Sequence, residues 1–207
     1  MKRKFLISLI LVFISISVLK NIQTGNNDDW RLILVNNENS IPYGYTPELT
    51  ELSNGIRIDT RIYPDLQRMF DDARNVGIYP IVSEGYRTYE EQKKMMSDKI
   101  ESFISEGYSK HEAKKLAREW VAVAGKSEHE IGLALDINAD QSYSTDTEVY
   151  DWLAENAYKY GFILRYPPDK EYITGIDYEP WHYRYVGTET ATEIHDKNIT
   201  LEEYLNN

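Results

Sequence analysis

The chain has 207 residues, 28% of them charged, no cysteine, and a formal net charge of −11. That length supports one domain around a single large core. An acidic body repels phosphate backbones, which argues against nucleic acid as a partner, and the lack of cysteine excludes a disulfide framework.

The N-terminus reads differently from the rest. "MKRK" precedes "FLISLILVFISISVL", a run without charge, and then "KNIQTGNNDD". A basic head with a short apolar run describes an export signal. The run is shorter than the roughly 20 residues that span a bilayer comfortably. No small-x-small cleavage site follows it, so a retained anchor is the alternative. Residues 1–23 are therefore expected to be a signal peptide or membrane anchor, 24–29 a linker, and 30–207 the functional domain. The basic head would stay cytoplasmic and the body would lie outside, held by its core and not by disulfides.

"WRLILV" (30–35) reads as a strand, followed by a loop. "PDLQRMFDDARNVG" spaces Leu66, Met69, Phe70 and Ala73 for a helix, with Pro64 at its start and Gly77 at its end. "IYPIVSEGYR" is a strand running into a turn at Glu84-Gly85. Three S/T-x-x-E capping boxes, at Thr88/Glu91, Ser109/Glu112 and Thr145/Glu148, open helices that close on glycine. "GLALDIN", "GFILRY" and "PWHYRYV" are rich in strand formers. Helices and short strands mix without a βαβ rhythm, which favours an α+β fold.

Of four histidines, His111 lies in a charge-rich helix and His195 among polar residues near the C-terminus, and both read as solvated. His129 and His182 each stand beside a carboxylate and a strand. In "SEHEIGLALDINAD", His129 and Asp136 are seven apart, and in "EPWHYRYV", Glu179 and His182 are three apart. Both spacings put the pair on opposite faces of a regular strand. Convergence needs a break, which Gly132 and Pro180 supply. Two imidazoles and one carboxylate suit zinc with an open fourth position. Glu179 is then the candidate proton carrier, and Arg87, after the Gly85 turn, the cation for a substrate carboxylate or oxyanion. The bland alternatives are structural His–Asp pairs, an ordinary salt bridge at Arg87, and Trp181 as a core or pocket wall. Glu128 and Glu130 read as solvated flanks. Spacing alone leaves the function open.

The motifs resemble those of a known family. "SEHEIGLALDI" fits Ser-x-His-x-x-Gly-x-Ala-x-Asp and "EPWHYRYVG" fits Glu-x-x-His, the signatures of zinc D-alanyl-D-alanine carboxypeptidases of the VanY and VanXY type. "SEGYRTYEEQ" upstream and "YGFILRYPPDKEYITGIDYEPWHYRYVG" extend the likeness over roughly residues 30–187. That group also includes lysostaphin-type peptidases and the hedgehog signalling domain. The resemblance implies an α+β fold with a central antiparallel sheet flanked by helices. It implies one zinc ion on His129, Asp136 and His182, with Glu179 as catalytic base and Arg87 on the substrate's carbonyl or carboxylate. It further implies substrate contacts from Ser127 and Gln92, and a pocket shaped by Tyr86 and Trp181. The expected substrate is the D-Ala-D-Ala end of a peptidoglycan stem peptide, cut outside the membrane or in the cell wall, with a link to glycopeptide resistance. An L,D-carboxypeptidase, a D,D-dipeptidase and a non-catalytic zinc-bearing module are the alternatives.

Overall fold

The computed structural model describes residues 29–206. The expected export segment and linker, apart from Asp29, lie outside the described residues. Among the described residues no helix is long and apolar enough to cross a membrane.

A two-stranded antiparallel hairpin, β1 (Leu49–Glu51) and β2 (Arg57–Asp59), leads into helix α1 (Tyr63–Asn75). Proline in its first turn fits α1, because the first helical N–H groups lack intrahelical partners anyway. Strand β3 (Pro80–Glu84) is followed by the helical pair α2 (Tyr89–Ser105) and α3 (Lys110–Trp120). Next come β4 (Ala134–Ala139), α4 (Asp146–Asn156), β5 (Phe162–Leu164), the short α5 (Glu171–Thr174), β6 (His182–Tyr185), α6 (Thr188–Lys197) and α7 (Leu201–Leu205). The sheet is antiparallel in the order β3-β4-β6-β5. This is the α+β architecture expected from the sequence.

Alternation along the two central strands separates core from chemistry. Leu135 and Ile137 of β4 join Tyr183 and Tyr185 of β6 in a buried cluster with Leu66, Met69 and Phe70 of α1 and Val149 and Leu153 of α4. The intervening residues, Asp136 of β4 and His182 and Arg184 of β6, take the opposite face. Asp136 and His182 are direct cross-strand partners, and Glu84 of β3 pairs with Asp136 on the other side.

All three expected capping boxes are present, with Glu91, Glu112 and Glu148 each reaching back to the capping residue. A fourth, Thr200/Glu203, opens α7. Two expectations are corrected. Residues 30–35 are not a strand: Trp30–Leu32 form a 3-10 turn capped by the Asp29 carboxylate. The reason is long-range, since Arg184 Nη2 donates to the carbonyls of Arg31 and Ile33, occupying acceptors that a neighbouring strand would need. Helix α3 ends at Trp120, not at Gly125, because Val121 is extended and the Ala122 carbonyl accepts from Gln92 Nε2.

Candidate active site

His129 sits in a 3-10 turn (Glu128–Ile131) whose next residue, Gly132, is left-handed at φ 74°. That single reversal converts the turn into β4 and lets His129 and Asp136 face each other. A Cβ at Gly132 would stand 3.2 Å from the Asp59 amide nitrogen of β2, so packing and backbone both require glycine. On the second stretch, the His182 N–H donates to the Glu179 carbonyl in a turn around Pro180, and β6 starts only at His182. Both strand breaks therefore fall where parity demanded them.

The three expected ligand residues meet. His129 Nδ1 lies 2.8 Å from the Gly85 carbonyl oxygen, which can only accept, so Nδ1 carries the proton and Nε2 is left free. His129 Nε2 is 3.5 Å from Asp136 Oδ1, and His182 Nδ1 is 3.3 Å from the same oxygen. The ligand atoms of all three residues lie within 4.8 Å of one another. Ligands at about 2.0–2.1 Å in a zinc tetrahedron are separated by about 3.3–3.4 Å. Glu179 Oε2 stands 3.4 Å from His182 Nδ1, beside the cluster.

Electrostatics agree with a cation site. Burial by itself would raise the Asp136 carboxyl, but His129 and His182 hold it far below the ordinary carboxylate range. Burial would lower His182, yet Asp136, Glu128 and Glu179 hold its pKa well above 6.5. Without an ion, this imidazole must carry a proton among three carboxylates, and Asp136 Oδ1 is buried without a hydrogen bond. A divalent cation satisfies both atoms, so the donor set fits zinc.

Behind His182 lies a buried ion network. Glu128 Oε1 accepts from Arg165 Nε at 2.9 Å and Arg184 Nη1 at 2.7 Å, and Arg165 continues to Glu202 of α7 at 2.6 Å. Glu128 Oε2 faces His182 Nε2 at 3.9 Å. Burial opposes its charge, but the two guanidiniums and His182 keep it ionised well below the usual range. Glu128 and Glu130 are thus buried, not solvated flanks. Glu130 accepts from the amides of Gly125 and Ser127, fixing the loop before the 3-10 turn.

The cluster opens into a cavity of about 250 Å³. Arg87, Gln92, Ser127, Glu179 and Trp181 line it, as expected. Arg87 is buried, donates through Nη1 to Gln92 Oε1, and holds Nε 3.7 Å from Glu84. Gln92 accepts from Arg87 through Oε1 and donates to the Ala122 carbonyl through Nε2, so it orients the arginine. Tyr86 is the exception: it is not part of the lining, and its ring instead carries the Arg57 guanidinium at 5.1 Å. Glycine at 85 permits this arrangement, because a Cβ there would stand 2.4 Å from the Arg57 carbonyl oxygen.

Comparison with known proteins agrees with this geometry. Residues 55–188 match the VanY D-alanyl-D-alanine carboxypeptidase family. This chain belongs to that family. A D-alanyl-D-alanine carboxypeptidase of Enterococcus faecalis is 56% identical over 184 residues, covering 89% of this chain and 69% of its own. The solved structure of VanYB in complex with D-alanine-D-alanine superposes with a TM-score of 0.84 at 58% identity, over 86% of this chain and 98% of that one. A VanY D,D-pentapeptidase variant from a VanB-type resistance cassette, solved with Zn(II), gives the same TM-score and identity over 86% and 100% of the two chains. The LdcB LD-carboxypeptidase is more distant, with a TM-score of 0.70 at 36% identity, covering 84% of each chain.

In this VanY-family site, several lining residues escaped sequence reasoning. Tyr166 is buried, tilted against the His182 ring at 4.8 Å, and pushed up to about 12 by burial first and then by Glu128. Lys99 and Trp120 come from the α2–α3 pair. For Glu128 a signal existed: arginines within the apolar strand segments "FILRY" and "HYRY" need a buried acid.

Proposed function

We propose that the protein is a zinc D,D-carboxypeptidase that removes the terminal D-alanine from peptidoglycan stem peptides ending in D-Ala-D-Ala. One observation carries the reading: Glu179, 3.4 Å from His182 Nδ1, faces the His129–Asp136–His182 cluster inside a cavity that also holds Arg87. A binding module needs neither a proton carrier nor a second cation there.

Bound zinc supplies Lewis acidity to a peptide carbonyl and lowers the pKa of water at the site. Glu179 takes the proton of the attacking water and returns it to the amide nitrogen as the C–N bond breaks. The products are a shortened peptide carboxylate and free D-alanine. Arg87, pre-aimed by Gln92 and Glu84, meets the oxyanion or the terminal carboxylate. His129 is held by the Gly85 carbonyl, the Glu128 carboxylate stands behind His182, and Ser127 and Trp181 bound the substrate's path.

The apolar run at 5–19 supports export, so the reaction is placed outside the cytoplasmic membrane, with the chain anchored there or released to the wall. Trimming that terminus would withdraw the D-Ala-D-Ala target of glycopeptide antibiotics. An L,D-carboxypeptidase is the second reading, favoured by the likeness to the LdcB enzyme and to an L,D-carboxypeptidase DacB of Streptococcus pneumoniae. Mass spectrometry after incubation with pentapeptide, tetrapeptide and free dipeptide, each with zinc or a chelator, tests both. Zinc-dependent loss of one D-alanine from the pentapeptide supports the main reading. Cleavage confined to the tetrapeptide or the dipeptide overturns it.

A further inference from the structure

Part of the cavity wall belongs to α2 and α3, and it carries a cation that the peptidase chemistry does not use. Gln92, Met95 and Lys99 line the cavity from positions i, i+3 and i+7 of α2, a single helical face. Gln92 touches Arg87, so the row runs from Arg87, beside buried Gln92, to half-buried Lys99. Lys99 is half-buried, with its Nζ 4.7 Å from the centre of the Trp120 ring and 5.1 Å from that of Phe103. Among the described residues no salt bridge engages it, although neighbouring Lys94 pairs with Asp98 and Lys93 with Glu90. An unpaired lysine on an aromatic platform, in a chain of net charge −11, marks a place where a negative group is received.

The helix also supplies a ruler. Gln92 and Lys99 are separated by about 10 Å along the α2 axis. An extended peptide advances about 3.3 Å per residue, so the same span is crossed by about three residues. We propose that Lys99, seated over Trp120, is a subsite for a carboxylate borne by the substrate about three residues before the one that Arg87 meets. This deepens the peptidase reading and rests on it. With Arg87 on the terminal carboxylate, counting back three from the last residue of a stem pentapeptide with lysine third reaches the second residue, a γ-linked D-glutamate whose α-carboxylate is the only other acid in the peptide. The site would therefore distinguish a stem peptide with that carboxylate free from one in which it is amidated.

The test uses those two pentapeptides, identical except for the free or amidated carboxylate. Affinities are measured on the zinc-loaded Glu179→Ala protein, and kcat/KM on protein with Glu179 intact. Each is repeated with Lys99→Gln and Lys99→Glu, exposed-side substitutions that spare the core. The free acid should bind roughly two- to fivefold more tightly, and added salt should reduce the difference. Lys99→Gln should bring the ratio to about one, and Lys99→Glu should invert it. Equal affinities with Lys99 present, or a preference that survives Lys99→Gln, would overturn the proposal. Discrimination in binding without any cleavage upholds the subsite and removes the peptidase reading. Cleavage of both peptides with equal kcat/KM does the reverse.

Discussion

His182 Nε2 and Glu128 Oε2 face each other at 3.9 Å, and neither buried atom has a hydrogen-bond partner. The other oxygen of Glu128 is fixed by Arg165 and Arg184, so the carboxylate behind the imidazole is anchored. His182 Nδ1, on the other side of the ring, stands 3.3 Å from Asp136 Oδ1. Such partners behind a metal-binding histidine fix its tautomer and orientation.

Glu128→Gln should therefore weaken zinc binding by about 10- to 100-fold, measured by competition with a chelator. Glu128→Ala should in addition cost about 3–5 kcal/mol of stability, because it leaves the buried Arg184 guanidinium without an acid and Arg165 with Glu202 alone. Unchanged zinc affinity in the glutamine variant would remove Glu128 from the site.

Zinc binding should depend on pH through His182. Its folded pKa is raised, so in the metal-free protein its protonated form adds stability that is fully present below 6.5 and is lost as pH rises through the folded value. Asp136 and Glu128 act oppositely: their contribution is present above the ordinary values of 3.8 and 4.5 and is lost only as pH falls through their depressed folded values. Zinc must displace the His182 proton, so calorimetric affinity should keep climbing about tenfold per pH unit above 6.5. A plateau at that pH would mean an ordinary imidazole.

Gly132→Ala places a side chain at φ 74° and 3.2 Å from the Asp59 amide nitrogen. The left-handed backbone alone costs about 1–2 kcal/mol. Thermal unfolding should shift down by about 2–8 °C, with weaker zinc binding because the turn aims His129. An unchanged melting temperature would show that the reversal is not needed.

What could be read from the sequence was local. The parity conflicts at His129/Asp136 and Glu179/His182 pointed to breaks at Gly132 and Pro180 because strand alternation acts over a few residues. Capping boxes were legible for the same reason. The failures came from distant partners. Residues 30–35 have strand composition, but their carbonyls are taken by Arg184, more than a hundred residues away. Glu128 resembled a surface acid because Arg165 and Arg184 lie in other strand segments. Gln92 was expected on substrate, and the partners that fix its amide, Arg87 and the Ala122 carbonyl, are set by the fold and not by its neighbours in sequence.

Gln92→Ala tests that last assignment. Freed from its partner, Arg87 should lose its fixed direction, and kcat/KM should fall roughly tenfold or more with bound zinc unchanged. Kinetics beside metal analysis would show it. Normal kcat/KM would mean that Glu84 and the loop suffice to hold the arginine.

Three side chains hold the metal while Glu179 moves the proton. Bound zinc and D-alanine release should be measured together on Glu179→Ala protein and on protein with Glu179 intact, using a D-Ala-D-Ala pentapeptide. The account predicts about one zinc per chain in both, and a loss of turnover of about 10²–10⁴-fold in the variant. Full turnover without the glutamate, or loss of the metal along with it, would contradict that division of labour.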